Sequence, residues 1–563
     1  MVAAQGGSSH VRSKLGFRRP LTGGTALLLA TVSALALPSA ARADIQVTPR
    51  VVLRHSFSDT AYDDFRMITA IAPGVHVRAD TKRIKGQLDY EFSRRTAWGD
   101  SLYDKGQHRL NANGNAELIR DLLSVQAGGV VTQTFRDWRG PLSTGPEQDN
   151  PNQSTVSYYY VQPRLQEELG SFAVFDAYYR FAYSDVDNAG RLFRAGEEAP
   201  PGTAYSVAPA SDATMHDAVA TLSNRNNQGA RLIWTLRGTY SADDRDDLNE
   251  ELRIKSGVFD VSYSLNRKIA LLGSIGYEDI YDEQDKLLVD PETGLPILDD
   301  EGRFQFDPDE PRQVVMDRQG VIWDVGVRLT PSRRTQLTLR GGRQYGGTVF
   351  NGDLSYQIRE GITLTARYSE SLNTFGRLFS GQLAGQPFSF MVDRNYRLGP
   401  GLIMVPTEFG LLPVSGVVTN ATFKSRLGQV QLSYQSGRNT AQIAAFYDRR
   451  NYLNIGASVA ADTPAPESDL AGRSDVTWGV SGGFSHEMSG GRSLSGNVFY
   501  SNLKYALSRQ RRDNVFGGSI GYHMRFTNNL TGSATFYTLQ RSVDGYGTSQ
   551  HDNTLTFTLR ATF

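Results

Sequence analysis

The chain contains no cysteine. That excludes a disulfide framework, thiolate zinc sites and a lipid-modified N-terminal cysteine. It also lacks net charge, since 59 basic residues balance 59 acidic ones. No basic excess exists to neutralise a phosphate backbone, so no nucleic-acid partner is expected. Beyond the first segment, no apolar run reaches the roughly 18 residues that a transmembrane helix needs. The eight histidines are scattered singly, without H-x-x-x-H or H-E-x-x-H spacing. No metal and no cofactor are therefore expected. Internal repeats of the length found in propellers are also missing, which weakens the alternative of a soluble secreted β-protein.

What is present is strand material: 26 Tyr, 27 Phe and 56 Gly. The N-terminal segment reads as a signal peptide, residues 1–43. Arg12, Lys14, Arg18 and Arg19 form a basic start, residues 26–37 an apolar stretch, and Ala41-Arg42-Ala43 a cleavage site. A membrane anchor is the alternative, but the apolar stretch is too short to span a bilayer. The sequence predicts a mature chain beginning near Asp44, with residues 44–563 forming a single barrel.

From Asp44 onward the chain alternates with period two. In "IQVTPRVVLRHSF" (45–57), Val47, Val51, Leu53 and Phe57 alternate with Thr48, Arg50, Arg54 and Ser56. "ARLIWTLRGTY" (230–240) sets Leu232, Trp234, Leu236 and Tyr240 against Arg231, Thr235, Arg237 and Thr239. Such alternation marks a strand with one apolar and one polar face. About 22 such segments occur (range 18–24), long enough to cross a bilayer when tilted. Tight turns recur at 80–83, 120–122, 167–171, 224–228, 265–268, 331–334, 360–361, 436–439, 489–492 and 527–530. Long connections fall between them, at 136–154, 184–213, 279–318, 370–422 and 451–473. This asymmetry predicts an all-β, transmembrane, antiparallel up-and-down β-barrel with short periplasmic turns and long extracellular loops.

The final segment, "TLTFTLRATF" (554–563), alternates up to its last aromatic residue. A barrel pairs its last strand with its first, so that strand must be complete. Leu555, Phe557, Leu559 and Phe563 also resemble the C-terminal signal read by barrel-assembly machinery, which is thus an expected partner. Outer-membrane lipid and lipopolysaccharide are the others.

Charges facing lipid at midplane would cost about 2–4 kcal/mol each, so the polar face must line the lumen. Arg50, Arg54, Arg109, Arg231, Arg237, Arg328, Arg340, Arg367 and Arg560 are the expected lumen-lining arginines, with Asp89, Glu91, Asp324 and Asp353 among them. Such residues can set ion selectivity, or simply fill a wet lumen as ion pairs. Two G-x-S-x-G matches, at 479–483 and 517–521, fall inside expected strands, where glycine and serine permit close packing rather than a hydrolase elbow. No catalytic residue is assigned. The acidic stretch 278–310 lacks the ordered spacing of a calcium loop. Segment 370–422 contains "FGRLFSGQLAGQPFSFMV" and "GLIMVPTEFGLLPVSGVV", too apolar for a free loop. It either folds over or into the lumen, the favoured reading, or extends the wall as a hairpin.

"YEFSRRTAWGD" (90–100), "VTNATFKSRLGQVQLSYQSGRNT" (418–440) and "YDRRNY" (447–452) carry a resemblance to a family. The chain resembles bacterial outer-membrane β-barrels associated with PEP-CTERM sorting and exopolysaccharide loci. The resemblance implies a Gram-negative outer membrane and exopolysaccharide export components as partners; it implies no activity. The functional expectation is a channel or accessory component for passage of polysaccharide or other hydrophilic solutes. A non-conducting anchor or surface-display protein is the alternative, and a barrel-embedded hydrolase a weaker one.

Overall fold

The computed structural model describes residues 44–60, 65–98, 105–135, 153–186, 206–207, 212–224, 230–245, 249–286, 288, 297, 305–374, 377, 404–407, 410–413, 422–453, 459–460, 472–504, 512–544 and 549–563. The expected signal peptide lies outside them. The described chain forms one 22-stranded antiparallel sheet. Each strand pairs with its neighbours in sequence, and strand lengths run from 10 to 20 residues. The first strand, Asp44–Thr60, pairs with the last, Ser549–Thr562, and the sheet closes into a barrel. Arg54 stands opposite Thr558, and Phe57 opposite Leu555. The final amide, that of Phe563, donates to the Pro49 carbonyl at 3.0 Å. Pairing thus continues through the terminal residue, as the alternation of 554–563 predicts.

Burial is inverted relative to a soluble protein. Leu53 is 43% exposed, whereas the adjacent Arg54 is 1% exposed. Leu236, Trp323, Leu339, Ile443 and Phe516 are likewise exposed on the outer face. An aqueous exterior would make such a band unfavourable, and a lipid exterior makes it the favoured arrangement. A closed sheet also leaves no unpaired backbone edge to hydrocarbon. The protein is therefore an outer-membrane β-barrel of the Gram-negative type.

Nine of the ten expected tight turns lie at the barrel end that holds Asp44 and Phe563, the periplasmic end; the tenth, 224–228, falls largely outside the described residues. The outer connections differ in part from expectation. The strand Ile269–Gln284 runs further than the alternation suggests, so Glu278, Asp282 and Glu283 belong to the wall, not to an acidic loop. The pair Thr335–Gln344 and Gly347–Arg359 turns at the outer end in only two residues, Tyr345 and Gly346. Their φ angles are 53° and 71°. Positive φ at both positions is the type I′ geometry that suits strand twist.

The two G-x-S-x-G matches sit inside the strands Ser474–Met488 and Arg512–Arg525. A Cβ at Gly479 would lie 2.5 Å from the Tyr500 carbonyl and 2.7 Å from the Phe446 ring. That glycine serves close packing.

Candidate functional site

The arginines expected in the lumen form separate groups, not a ring. Arg50 meets Asp89 at 2.5 Å and Glu91 at 3.3 Å, and Arg54 meets Glu91 at 2.5 Å. Arg109 lies 3.8 Å from Glu91. Gly74 makes this cluster possible, because a Cβ there would sit 3.0 Å from the Arg50 Nε and 2.6 Å from the Tyr90 carbonyl. Further round, Arg340 bridges Asp324 (2.5 Å) and Asp260 (2.8 Å), and Arg367 meets Asp353 at 3.0 Å. Arg237 and Arg328 are exposed on the polar face of their strands, and Arg560, opposite Val52, is half-buried. Arg231 precedes its strand, at the turn. Carboxylates thus offset several of these guanidiniums, and no field of one sign results from them.

The inner wall divides along its length. Toward the periplasm it carries hydroxyls and amides that remain partly or fully exposed, among them Gln87, Asn113, Thr235, Ser355, Thr365 and Gln431. Toward the outer end the inner face is buried, at Asp448, Arg450, Tyr452, Thr477, Asp513 and Arg541. A 22-stranded wall encloses a wide space. Its inner face is nevertheless largely buried in the outer half, among the described residues.

One such region brings distant strands together. On Glu250–Ser264 the alternation reverses phase near the outer end. Phe259, Val261 and Tyr263 face out, but Leu252 and Ile254 face in, while Arg253 and Lys255 face out. Leu252, Ile280, Met316 and Leu372 form an apolar cluster, joined by Ile254, Tyr345 and Leu453. Leu372 lies on Ile362–Asn373, which does not neighbour the strands of the other three. The outer part of that strand and the Tyr345–Gly346 turn are therefore tucked behind the tall wall. The amides of Tyr345 and Gly346 donate to the Glu278 carboxylate, and Arg318 donates to the Tyr345 carbonyl at 3.3 Å. Fully burying such apolar side chains contributes about 1.5–3 kcal/mol each.

Polar contacts then fix the base of segment 370–422. Arg377 donates to both oxygens of Asp243, Nε at 2.7 Å and Nη2 at 2.9 Å. Thr374 donates to the same carboxylate at 3.0 Å. Asp217 lies 4.0 Å from Arg377 and accepts from Ser241 at 2.6 Å. At the other end of the segment, Thr422 donates to Asp282 at 3.0 Å and accepts from Arg245, which also pairs with Glu250. Asp243 is 1% exposed and Asp282 0%. A bidentate arginine–carboxylate pair in this setting is strong and directional. These contacts form a latch: an inward-facing acidic wall grips the two ends of the segment. The remaining residues of 370–422, on which the choice between an inward fold and a hairpin extension of the wall depends, lie largely outside those described. Sequence reasoning missed Asp217, Asp243 and Arg377, which are remote from one another along the chain. The phase reversal within "ELRIK" (251–255) was the available signal.

Among the described residues, no group of three or more His, Asp or Glu side chains is placed to hold a metal ion. Other described acidic residues of 278–310 are engaged by nearby cations: Arg312 meets Glu283 at 2.7 Å and Asp285 at 3.2 Å, and Lys286 meets Glu310 at 3.2 Å.

No family model matches the chain, and no curated protein matches it. Solved structures with a similar course include the ferric-catecholate import receptor Fiu from E. coli K12, at 8% identity and TM-score 0.47, covering 92% of this chain and 82% of that one. The copper transporter OprC aligns at 10% identity and TM-score 0.45, over 93% and 82% of the two chains. Pseudomonas aeruginosa OccK2 aligns at 9% identity and TM-score 0.33, over 92% and 98%. Likeness at this level leaves the function to be read from this chain's own residues.

Proposed function

We propose that this barrel is a gated outer-membrane passage for a hydrophilic solute of the polysaccharide class, held shut at its outer end by segment 370–422. The observation that carries this reading is the divided lumen. Its periplasmic half presents amides and hydroxyls, which both donate and accept hydrogen bonds, as sugar hydroxyls do. Its charges are largely paired, which suits a neutral or weakly charged polymer better than an ion of one sign. The resemblance to barrels of exopolysaccharide loci agrees with that class, and export components would then be partners. Assembly machinery and lipopolysaccharide would be the partners of the wall.

Planar-bilayer recordings test the reading. The intact protein is expected to conduct little. Arg377→Ala, or deletion of residues 378–418, is expected to open a large conductance. A specific observation also favours a second reading, the non-conducting anchor: the outer half of the inner wall is packed. If the latch variants insert and remain folded yet pass no current, the anchor reading replaces the passage.

A further inference from the structure

At the outer end of five neighbouring strands the outward face is basic. The strands are Phe423–Ser436, Asn439–Tyr452, Ser474–Met488, Arg492–Lys504 and Arg512–Arg525. One registered row crosses them. Arg426 stands opposite Arg449, Arg449 opposite Val476, Val476 opposite Lys504, and Lys504 opposite Arg512. These residues share strand parity with Val430, Tyr447, Trp478, Val498 and Phe516, all exposed on the outer face. The row just beneath contains Tyr447 and Trp478, and Trp478 packs against Tyr500 with ring centroids 5.5 Å apart. Aromatic residues so placed mark the boundary between hydrocarbon and headgroups. Two residues along a strand span about 7 Å. The basic row therefore sits at the level of the outer-leaflet headgroups.

Such a row is unfavourable by itself. Like charges directly opposite each other destabilise a strand pair. Here two pairs are so placed, Arg426 with Arg449 and Lys504 with Arg512. The wall supplies little counter-charge. Glu370, opposite Arg426, is shared between Lys424 at 3.0 Å and Arg426 at 3.3 Å. Asp544 stands opposite Arg512 in register without an ion pair. Among the described residues, no carboxylate forms an ion pair with Arg449, Lys504 or Arg512. Arg449 donates instead to Asn451 at 3.1 Å and to Ser474 at 3.4 Å. On the tall wall the cations are matched: Arg253 pairs with Glu251, and Arg312 with Glu283 and Asp285.

We propose that Arg426, Arg449, Lys504 and Arg512 bind the phosphate groups of lipopolysaccharide, whose acyl chains lie along the exposed apolar residues of the same strands. A phosphate lodged between each like-charged pair replaces repulsion with charge-assisted hydrogen bonds, and guanidinium forks match phosphate oxygens. Lipid is the occupant because the row stands directly above an exposed apolar and aromatic band. A second copy of the chain would have to bring free carboxylates, and Glu251, Glu283 and Asp285 of the tall wall are already engaged. Side-chain cations supply the counter-charge, so binding needs no divalent ion. The site rests on the barrel's place in the outer membrane and does not depend on the passage.

Native mass spectrometry of the intact barrel in detergent tests the proposal, with bisphosphorylated lipid A as the probe. Binding is expected to persist in excess chelator. Dephosphorylated lipid A, phosphatidylglycerol and inorganic phosphate are expected to bind at least about tenfold more weakly. Combining Arg449→Gln, Lys504→Gln and Arg512→Gln is expected to weaken lipid A binding by at least about tenfold, whereas Arg253→Gln leaves it unchanged. Migration of unheated samples on gels checks that each variant is folded. If the triple variant does not fold, Lys504→Gln alone, at an exposed side chain, is expected to weaken binding about fivefold. Equal binding by the folded variants, equal binding of dephosphorylated lipid A, or release by chelator would overturn the proposal. Equal binding of phosphatidylglycerol or inorganic phosphate would overturn lipopolysaccharide as the source of the phosphate. A lipid-free dimer that the triple variant abolishes would assign the row to a second copy instead.

Discussion

The polar face of a strand is not one environment, and the arginines separate accordingly. Arg54 and Glu91 are both buried, and Arg50 shares the same carboxylate. Removing one partner leaves a charge with no water to solvate it. Glu91→Ala is expected to cost about 3–5 kcal/mol. Arg367→Gln, in an exposed pair with Asp353, is expected to cost no more than about 1 kcal/mol. Denaturant unfolding in lipid vesicles measures both, and similar losses would contradict the burial gradient. Neighbours within a strand separate as sharply. Leu236→Arg places a charge on the lipid face and should cost about 2–4 kcal/mol near midplane. Arg237→Gln, one residue on, faces water and should leave stability nearly unchanged. If those two results were exchanged, the inside and outside of this strand would be inverted.

At the scale of elements, the sequence showed its strands and turns because a bilayer and a wet lumen impose one rule on each strand. Val51, Leu53 and Phe57 must face lipid, so Arg50, Arg54 and Ser56 must face in, and period two follows. The same rule placed the nine described periplasmic turns, and it required the last strand to pair through Phe563. It failed where the bilayer stops. Above that level Arg253 and Lys255 gain nothing by facing inward, and Leu252 and Ile254 gain a packed interior. The alternation therefore reverses within a single strand, and strand ends near Gln284 and Gln313 were read as loop. The pairing of Asp243 with Arg377 was not legible at all, since no local pattern couples one strand to a segment six strands away. The closing strand carries a prediction of its own. Phe563→Asp should lower the amount of protein in outer-membrane fractions, because the exposed apolar row Phe557, Leu559 and Phe563 then ends in a charge. Normal abundance would remove the C-terminal row from the assembly signal.

The whole molecule combines a wall that any large barrel needs with an outer rim where Thr374, Arg377 and Thr422 are held to the inner face. The first property follows from closing 22 strands, and the second from a few long-range contacts at Asp217, Asp243, Glu250 and Asp282. The closed state we propose is a lumen that is wet toward the periplasm and sealed toward the exterior. Thiol labelling tests that claim directly. Ser355→Cys is exposed on the inner face of the periplasmic half and would be the only cysteine in the chain. A membrane-impermeant maleimide should leave it unmodified in intact cells and modify it once the periplasmic side is opened. Adding Arg377→Ala should make it reactive from outside as well. Rapid modification of the single variant in intact cells, with the latch in place, would contradict the sealed outer end.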